Sequence, residues 1–143
     1  MNRALAQKIE EICKRYGISA LYVFGSRAGE IAARVRRPGE DSRFPHSDVD
    51  IGVQPLFGTH LTAKRKIDLT IELEDLFSAP RLDLIVLSEA GPFLQLEVIR
   101  GELLYCDDPD GQAEDELLVL RRAGDLAYYE REKVRQILSG KVA

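Results

Sequence analysis

The chain has 143 residues, 45% apolar and 31% charged, with a net charge of −4. This size favours one domain with a real core, and the composition is that of an ordinary soluble globular protein. The mildly acidic balance lacks the basic footprint of direct nucleic-acid binding, and the longest apolar runs are far too short to span a bilayer.

In chain order, residues 3–16 predict a helix, with Leu5, Ile9, Ile12, Cys13 and Tyr16 at helical spacing and Gly17 as its stop. Residues 20–24 ("ALYVF") predict a short buried strand. "RAGEIAARVRR" predicts a helix that ends at Pro38-Gly39, and 38–47 a polar loop. Residues 48–54 alternate as a strand, and 55–58 form a turn. A central helix follows over 61–78, then a strand over 81–87. "SEAGPFLQLEVIRG" predicts a helix with Ser88 as N-cap and Gly101 as stop. Residues 102–106 form a strand and "DDPDG" a turn. A long amphipathic helix covers 113–139, with a candidate break at Gly124-Asp125. Helices alternating with strands predict an α/β layer architecture around one sheet.

Cys13 and Cys106 read as small buried hydrophobes, consistent with a reducing cytosol, and no spacing suggests zinc. The N-terminus is charged and amphipathic, unlike a signal peptide, so a cytoplasmic location is expected. Arg34, Arg36, Arg37 and Arg43 read either as a solvated loop or as cations reaching phosphates or an acidic partner. His46 and His60 have no partner spacing.

The chemistry gathers in two stretches. Alternation along 48–54 puts Asp48 and Asp50 on one face and Val49, Ile51 and Val53 on the core face. Adjacent carboxylates repel unless they are solvated or share a cation. Such pairs suit Mg²⁺, a hard ion that shares its sphere with substrate phosphates. Asp83 repeats the pattern: Leu82, Leu84 and Val86 lie on one face, the acid on the other. If the two strands pair, three carboxylates converge, a set able to hold two metal ions for in-line phosphoryl displacement. Upstream, "LYVF" ends at Gly25-Ser26-Arg27. Gly25 permits a tight turn, Ser26 offers a hydroxyl, Arg27 a cation, and the following helix start is a natural anion site. This is a candidate grip on a nucleoside triphosphate. Its bland counterpart is a plain strand-to-helix turn capped by Ser26.

Together, "GSRA", "SDVDIGV", "RLDLIVL" and "VIRGELLY" resemble the minimal nucleotidyltransferases (MNT) of the DNA polymerase beta superfamily, over about residues 5–106. Two departures stand out. "GSRAGE" lacks the second arginine that many relatives carry, and Ser26 and Asp48 lie 22 residues apart, a long spacing that implies an inserted, arginine-bearing segment. The resemblance implies a nucleotidyltransferase fold, with a small mixed sheet of about four strands, flanking helices and a C-terminal helix. It implies that Gly25 and Ser26 bind the triphosphate, that Asp48 and Asp50 ligate both metals, and that Asp83 ligates the catalytic metal and helps deprotonate the acceptor. The implied reaction is transfer of AMP from ATP. In members acting as antitoxins of HEPN/MNT modules, the implied acceptor is a tyrosine hydroxyl of the HEPN toxin. Adenylylation of an aminoglycoside-type small molecule and non-catalytic toxin binding are the alternatives. Homo- or hetero-oligomers are both compatible with the sequence. The last helix carries an apolar stripe that either packs on its own domain or meets a partner, and Tyr128-Tyr129 are open to a role in a base pocket.

Overall fold

The computed structural model describes residues 3–37 and 48–140. The predicted loop over 38–47, with Arg43 and His46, lies outside the described residues. The order is α1 (Arg3–Tyr16), β1 (Ile18–Phe24), α2 (Ala28–Arg36), β2 (Val49–Pro55), α3 (Ala63–Phe77), β3 (Leu82–Val86), α4 (Pro92–Ile99), β4 (Glu102–Cys106) and α5 (Pro109–Leu138). The strands form one sheet in the order β3-β2-β1-β4. β1 is antiparallel to both β2 and β4, whereas β2 and β3 are parallel. The mixed α/β class expected from the sequence is the one observed.

Alternation in the strands builds two cores. On one face, Leu21, Val23, Val49, Ile51 and Val53 meet the apolar sides of α1, α2 and α3, with Ile9, Ile31, Leu69 and Phe77 wholly buried. On the other, Ala20, Tyr22 and Phe24 meet Leu87 and Val98 in a much smaller cluster. This second face is covered by α4 and the beginning of α5. A polar clamp fixes that beginning. Tyr22 Oη donates to Glu116 Oε2 at 2.8 Å, and the buried Gln112 amide donates to Tyr22 Oη. Burial and the Glu116 carboxylate raise the Tyr22 pKa strongly, so this phenol stays a donor.

Several predicted boundaries move. Leu87–Glu89 form a 3₁₀ turn, and α4 begins at Pro92 with Gly91 as N-cap, so Ser88 does not cap it. Proline at the first helical position lacks only an N–H that would be unpaired there anyway. The same logic starts α5 at Pro109, ahead of the expected 113. The helix also runs unbroken through Gly124-Asp125; one interior glycine costs only about 1 kcal/mol. Cys13 is fully buried, which pushes its thiol up to about 12, whereas Cys106 is only half-buried. Among the described residues no helix is long and apolar enough to cross a membrane.

Candidate active site

Gly25, Asp50 and Asp83 come together at one end of the sheet. β1 arrives there at its C-terminal end, and β2 and β3 depart from it. Phe24 pairs with Asp50, and Asp50 lies in register with Asp83 across the parallel β2–β3 pair. Residues directly opposite on neighbouring strands share a face. Asp50 and Asp83 therefore project together on the α4 side of the sheet, while Val49, Ile51 and Val53 are completely buried on the other.

The turn after β1 closes over the same spot. Gly25 has φ +78°, and a Cβ there would collide with Asp50 Oδ2 and sit 3.4 Å from Asp50 Cγ. The dihedral requires glycine, and its missing side chain lets the Asp50 carboxylate lie where it does. The two sequence stretches therefore meet in the fold.

Asp50 is half-buried, and its pKa is raised. Burial is the largest cause, followed by the carboxylates of Asp83, Asp48 and Glu97 and a hydrogen bond with Asp83. Asp48 is exposed at the strand's start. Asp83 has a side chain 45% exposed, and Arg81 Nε approaches its Oδ1 at 3.5 Å. Among the described residues no three His, Cys, Asp or Glu side chains already form a metal-holding group. What the structure provides is the Asp50–Asp83 pair, with the exposed Asp48 near enough to add its charge at Asp50.

The serine and the arginine differ in placement. Ser26 is exposed at the turn, beside the first turn of α2, which has no side-chain cap. Arg27 occupies the N-cap, where its side chain is only 5% exposed and held by both carboxylate oxygens of Glu30, with Nε and one terminal nitrogen each 3.2 Å away. Its φ of −103° and ψ of 8° fall in the bridge region. The guanidinium therefore turns inward and anchors the start of α2. Of the other arginines, Arg34 donates to Phe77 O at 2.9 Å, and Arg36 makes an exposed pair with Glu102 at 3.0 Å.

Two contributors were not visible in the sequence. Glu97 on α4 adds negative charge at Asp50. Gly52 lets Val98 of α4 press onto β2, since a Cβ at Gly52 would collide with Val98 Cγ1. Neither has a motif; each appears only when α4 is laid across the sheet.

A strand that ends on a positive-φ glycine above an aspartate, followed by a helix and flanked by a second acid-bearing strand, is the arrangement the resemblance to nucleotidyltransferases implies. The chain belongs to the polymerase beta nucleotidyltransferase family, whose model matches residues 7–110. A comparison with curated protein sequences finds no match. Among solved structures, a chain of a toxin–antitoxin complex with AMP-PNP is 18% identical, with a TM-score of 0.62, over 96% of this chain and 98% of that one. A chain of the MntA–HepT toxin–antitoxin complex is 17% identical, with a TM-score of 0.58 over 99% of both. A chain from a Shewanella oneidensis complex of a tri-AMPylated HEPN toxin with its MNT antitoxin is 19% identical, with a TM-score of 0.56 over all of both. At such identities the likeness is one of fold.

Proposed function

We propose that this chain moves AMP from ATP to a hydroxyl, most simply a tyrosine hydroxyl, of a HEPN-type toxin, and so acts as that toxin's antitoxin. The observation that carries the reading is the seating of Gly25 on Asp50, with Asp83 in register beside it. The family supports nucleotidyl transfer, and the fold shared with toxin–antitoxin chains supports the partner.

In this reading the backbone of Gly25-Ser26, the Ser26 hydroxyl and the uncapped first turn of α2 receive the outer phosphates of ATP. Arg27 positions that turn from inside and leaves direct phosphate contact to its neighbours. The acceptor oxygen forms a bond to the α-phosphorus, the bond from that phosphorus to the β-phosphate bridging oxygen breaks, and pyrophosphate leaves. The proton of the acceptor hydroxyl passes to Asp83, the carboxylate open to solvent at the sheet's edge. Asp48, Asp50 and Asp83 would hold Mg²⁺. The pKa of Asp50 is raised first by burial and then by the carboxylates of Asp83 and Asp48, and the second of these is what a bound cation would relieve. When bound, Mg²⁺ supplies charge neutralisation at the phosphate under attack.

The experiment combines the pure chain, ATP, Mg²⁺ and a HEPN-type toxin, then weighs the toxin by mass spectrometry. The expected result is a gain of one or more AMP units, abolished by Asp48→Ala or Asp50→Ala. A tight complex without mass gain, unaffected by both substitutions, would instead identify a pure binder.

A further inference from the structure

We infer that α5 is a self-association helix, which pairs antiparallel with α5 of a second copy of this chain.

The observation begins with what α5 leaves uncovered. It has 30 residues, about 45 Å of helix, yet its fully buried residues are only Gln112 and Ala123. Leu117, Leu120, Val134 and Leu138 remain 61%, 48%, 52% and 81% exposed. Leu118, Tyr128, Tyr129 and Ile137 are exposed too, beside this line rather than on it. Positions 117, 120, 124, 127, 131, 134 and 138 follow the alternating three-and-four step of a heptad seam. Large apolar residues hold its two ends, and small ones, Gly124 and Ala127, hold its middle. Gly124 faces open space in the monomer: a Cβ there would meet nothing within 4 Å. An interior glycine that fills no intramolecular contact suits the close approach of another helix.

The occupant is identified by self-complementarity. Residues 109–119 contain four acids and no base, whereas 120–138 contain five bases and three acids. Parallel copies would stack like charges; antiparallel copies oppose them. With Gly124 set against Ala127 of the second copy, Leu117 meets Val134 and Ala113 meets Leu138. On the flanks, Glu114 faces Arg135, which already pairs with Glu132 at 2.8 Å in its own helix and would bridge both acids, and Arg121 faces the ring of Tyr128 in a cation–π contact. Every such pair occurs twice, as two-fold symmetry demands.

The surface matches this register. A groove of about 430 Å³ runs between β4 and α5, with Leu103, Cys106, Ala113, Leu117 and Leu120 in its wall. It is the place where the exposed Val134 and Leu138 of the second copy would land. Arg131, opposite Leu120, keeps the pairing in one register, because a charged residue in a seam penalises slippage. The pairing does not depend on the chemistry at Asp50.

Sedimentation or light scattering of the full chain should give twice 16.1 kDa. Val134→Glu and Leu120→Glu lie on exposed positions, so each should give a folded 16.1 kDa monomer with unchanged helical circular dichroism. Glu114→Arg or Arg135→Glu alone should weaken the dimer roughly ten-fold, because the pair is lost twice; combining the two should restore it. A chain that stays monomeric at its solubility limit overturns the inference, as does a dimer indifferent to Leu120→Glu and Val134→Glu. Failure of the charge swap to restore pairing overturns the antiparallel register. So does a monomeric chain whose α5 stripe is occupied by the toxin instead.

Discussion

Gly25 and Asp50 occupy each other's space: the glycine at φ +78° leaves open the volume in which Asp50 Oδ2 lies. Gly25→Ala should therefore act in two ways. The left-handed dihedral alone costs about 1–2 kcal/mol with a Cβ present. The methyl also forces Asp50 out of its position beside Asp83. Thermal unfolding should show a loss of stability. At a temperature where the variant is fully folded, the mass-spectrometric assay should show transfer reduced far beyond that loss. Near-normal transfer by folded Gly25→Ala would separate the turn from the chemistry.

Asp50 is held at a cost to the fold. Its carboxyl is protonated more readily in the native state than in the unfolded chain, where the ordinary value is 3.8. The native protein thus binds more protons, and stability falls as pH rises from 3.8 through the raised native value. Asp50→Asn should be more stable than wild type at neutral pH without metal. The difference should shrink as pH falls and vanish below 3.8. Transfer should be abolished, a stability–function trade-off at one residue. Adding Mg²⁺ should raise the melting temperature of the wild type and leave Asp50→Asn unmoved. Melting curves across pH, with and without Mg²⁺ or a chelator, check all three statements.

Gly52 and Val98 lock α4 onto β2 two residues from Asp50. Gly52→Ala should destabilise by about 1–3 kcal/mol through overpacking against Val98 Cγ1. Val98→Ala should destabilise by emptying a fully buried position. In the double variant the new methyl enters the vacated space, so the combined loss should fall short of the sum by about 0.5–3 kcal/mol. Urea unfolding of the four proteins measures this coupling. Strict additivity would show that the helix does not bear on the strand here.

The legible parts of the fold were those governed by short-range periodicity. Alternation around Asp48 and Asp50 separated acids from core, and the residues it assigned to the core, Val49, Ile51 and Val53, are wholly buried. The meeting of Asp50 with Asp83 needed only the pairing of two strands, and the register supplies it. What local pattern could not reveal was long-range. Arg27 reads as a phosphate cation in sequence; that its side chain is buried and paired with Glu30 appears only in the fold. Glu97 has no signature, because its relevance comes from where α4 crosses the sheet. Ser88 is the stronger side-chain cap in sequence, yet α4 starts on the backbone of Gly91 and Pro92.

The Tyr22 clamp gives a last prediction. Its hydroxyl donates to Glu116 Oε2 and accepts from the buried Gln112 amide, so it satisfies two groups of α5 at once. Tyr22→Phe preserves the ring's packing but leaves Gln112 without this partner in a nearly closed space. An unsatisfied buried donor costs about 1–3 kcal/mol, whereas removal of both partners is close to neutral. Tyr22→Phe should lower stability by about that amount and speed hydrogen exchange in the first turns of α5, with little change at Asp50 or Asp83. Tyr22→Phe combined with Gln112→Leu should recover much of the loss. Glu116 is only half-buried and can turn its carboxylate to water. If the double variant is as unstable as the sum of the singles, the clamp is not the unit that holds α5 against the sheet. The apolar packing of Leu87 and Val98 then holds that face alone.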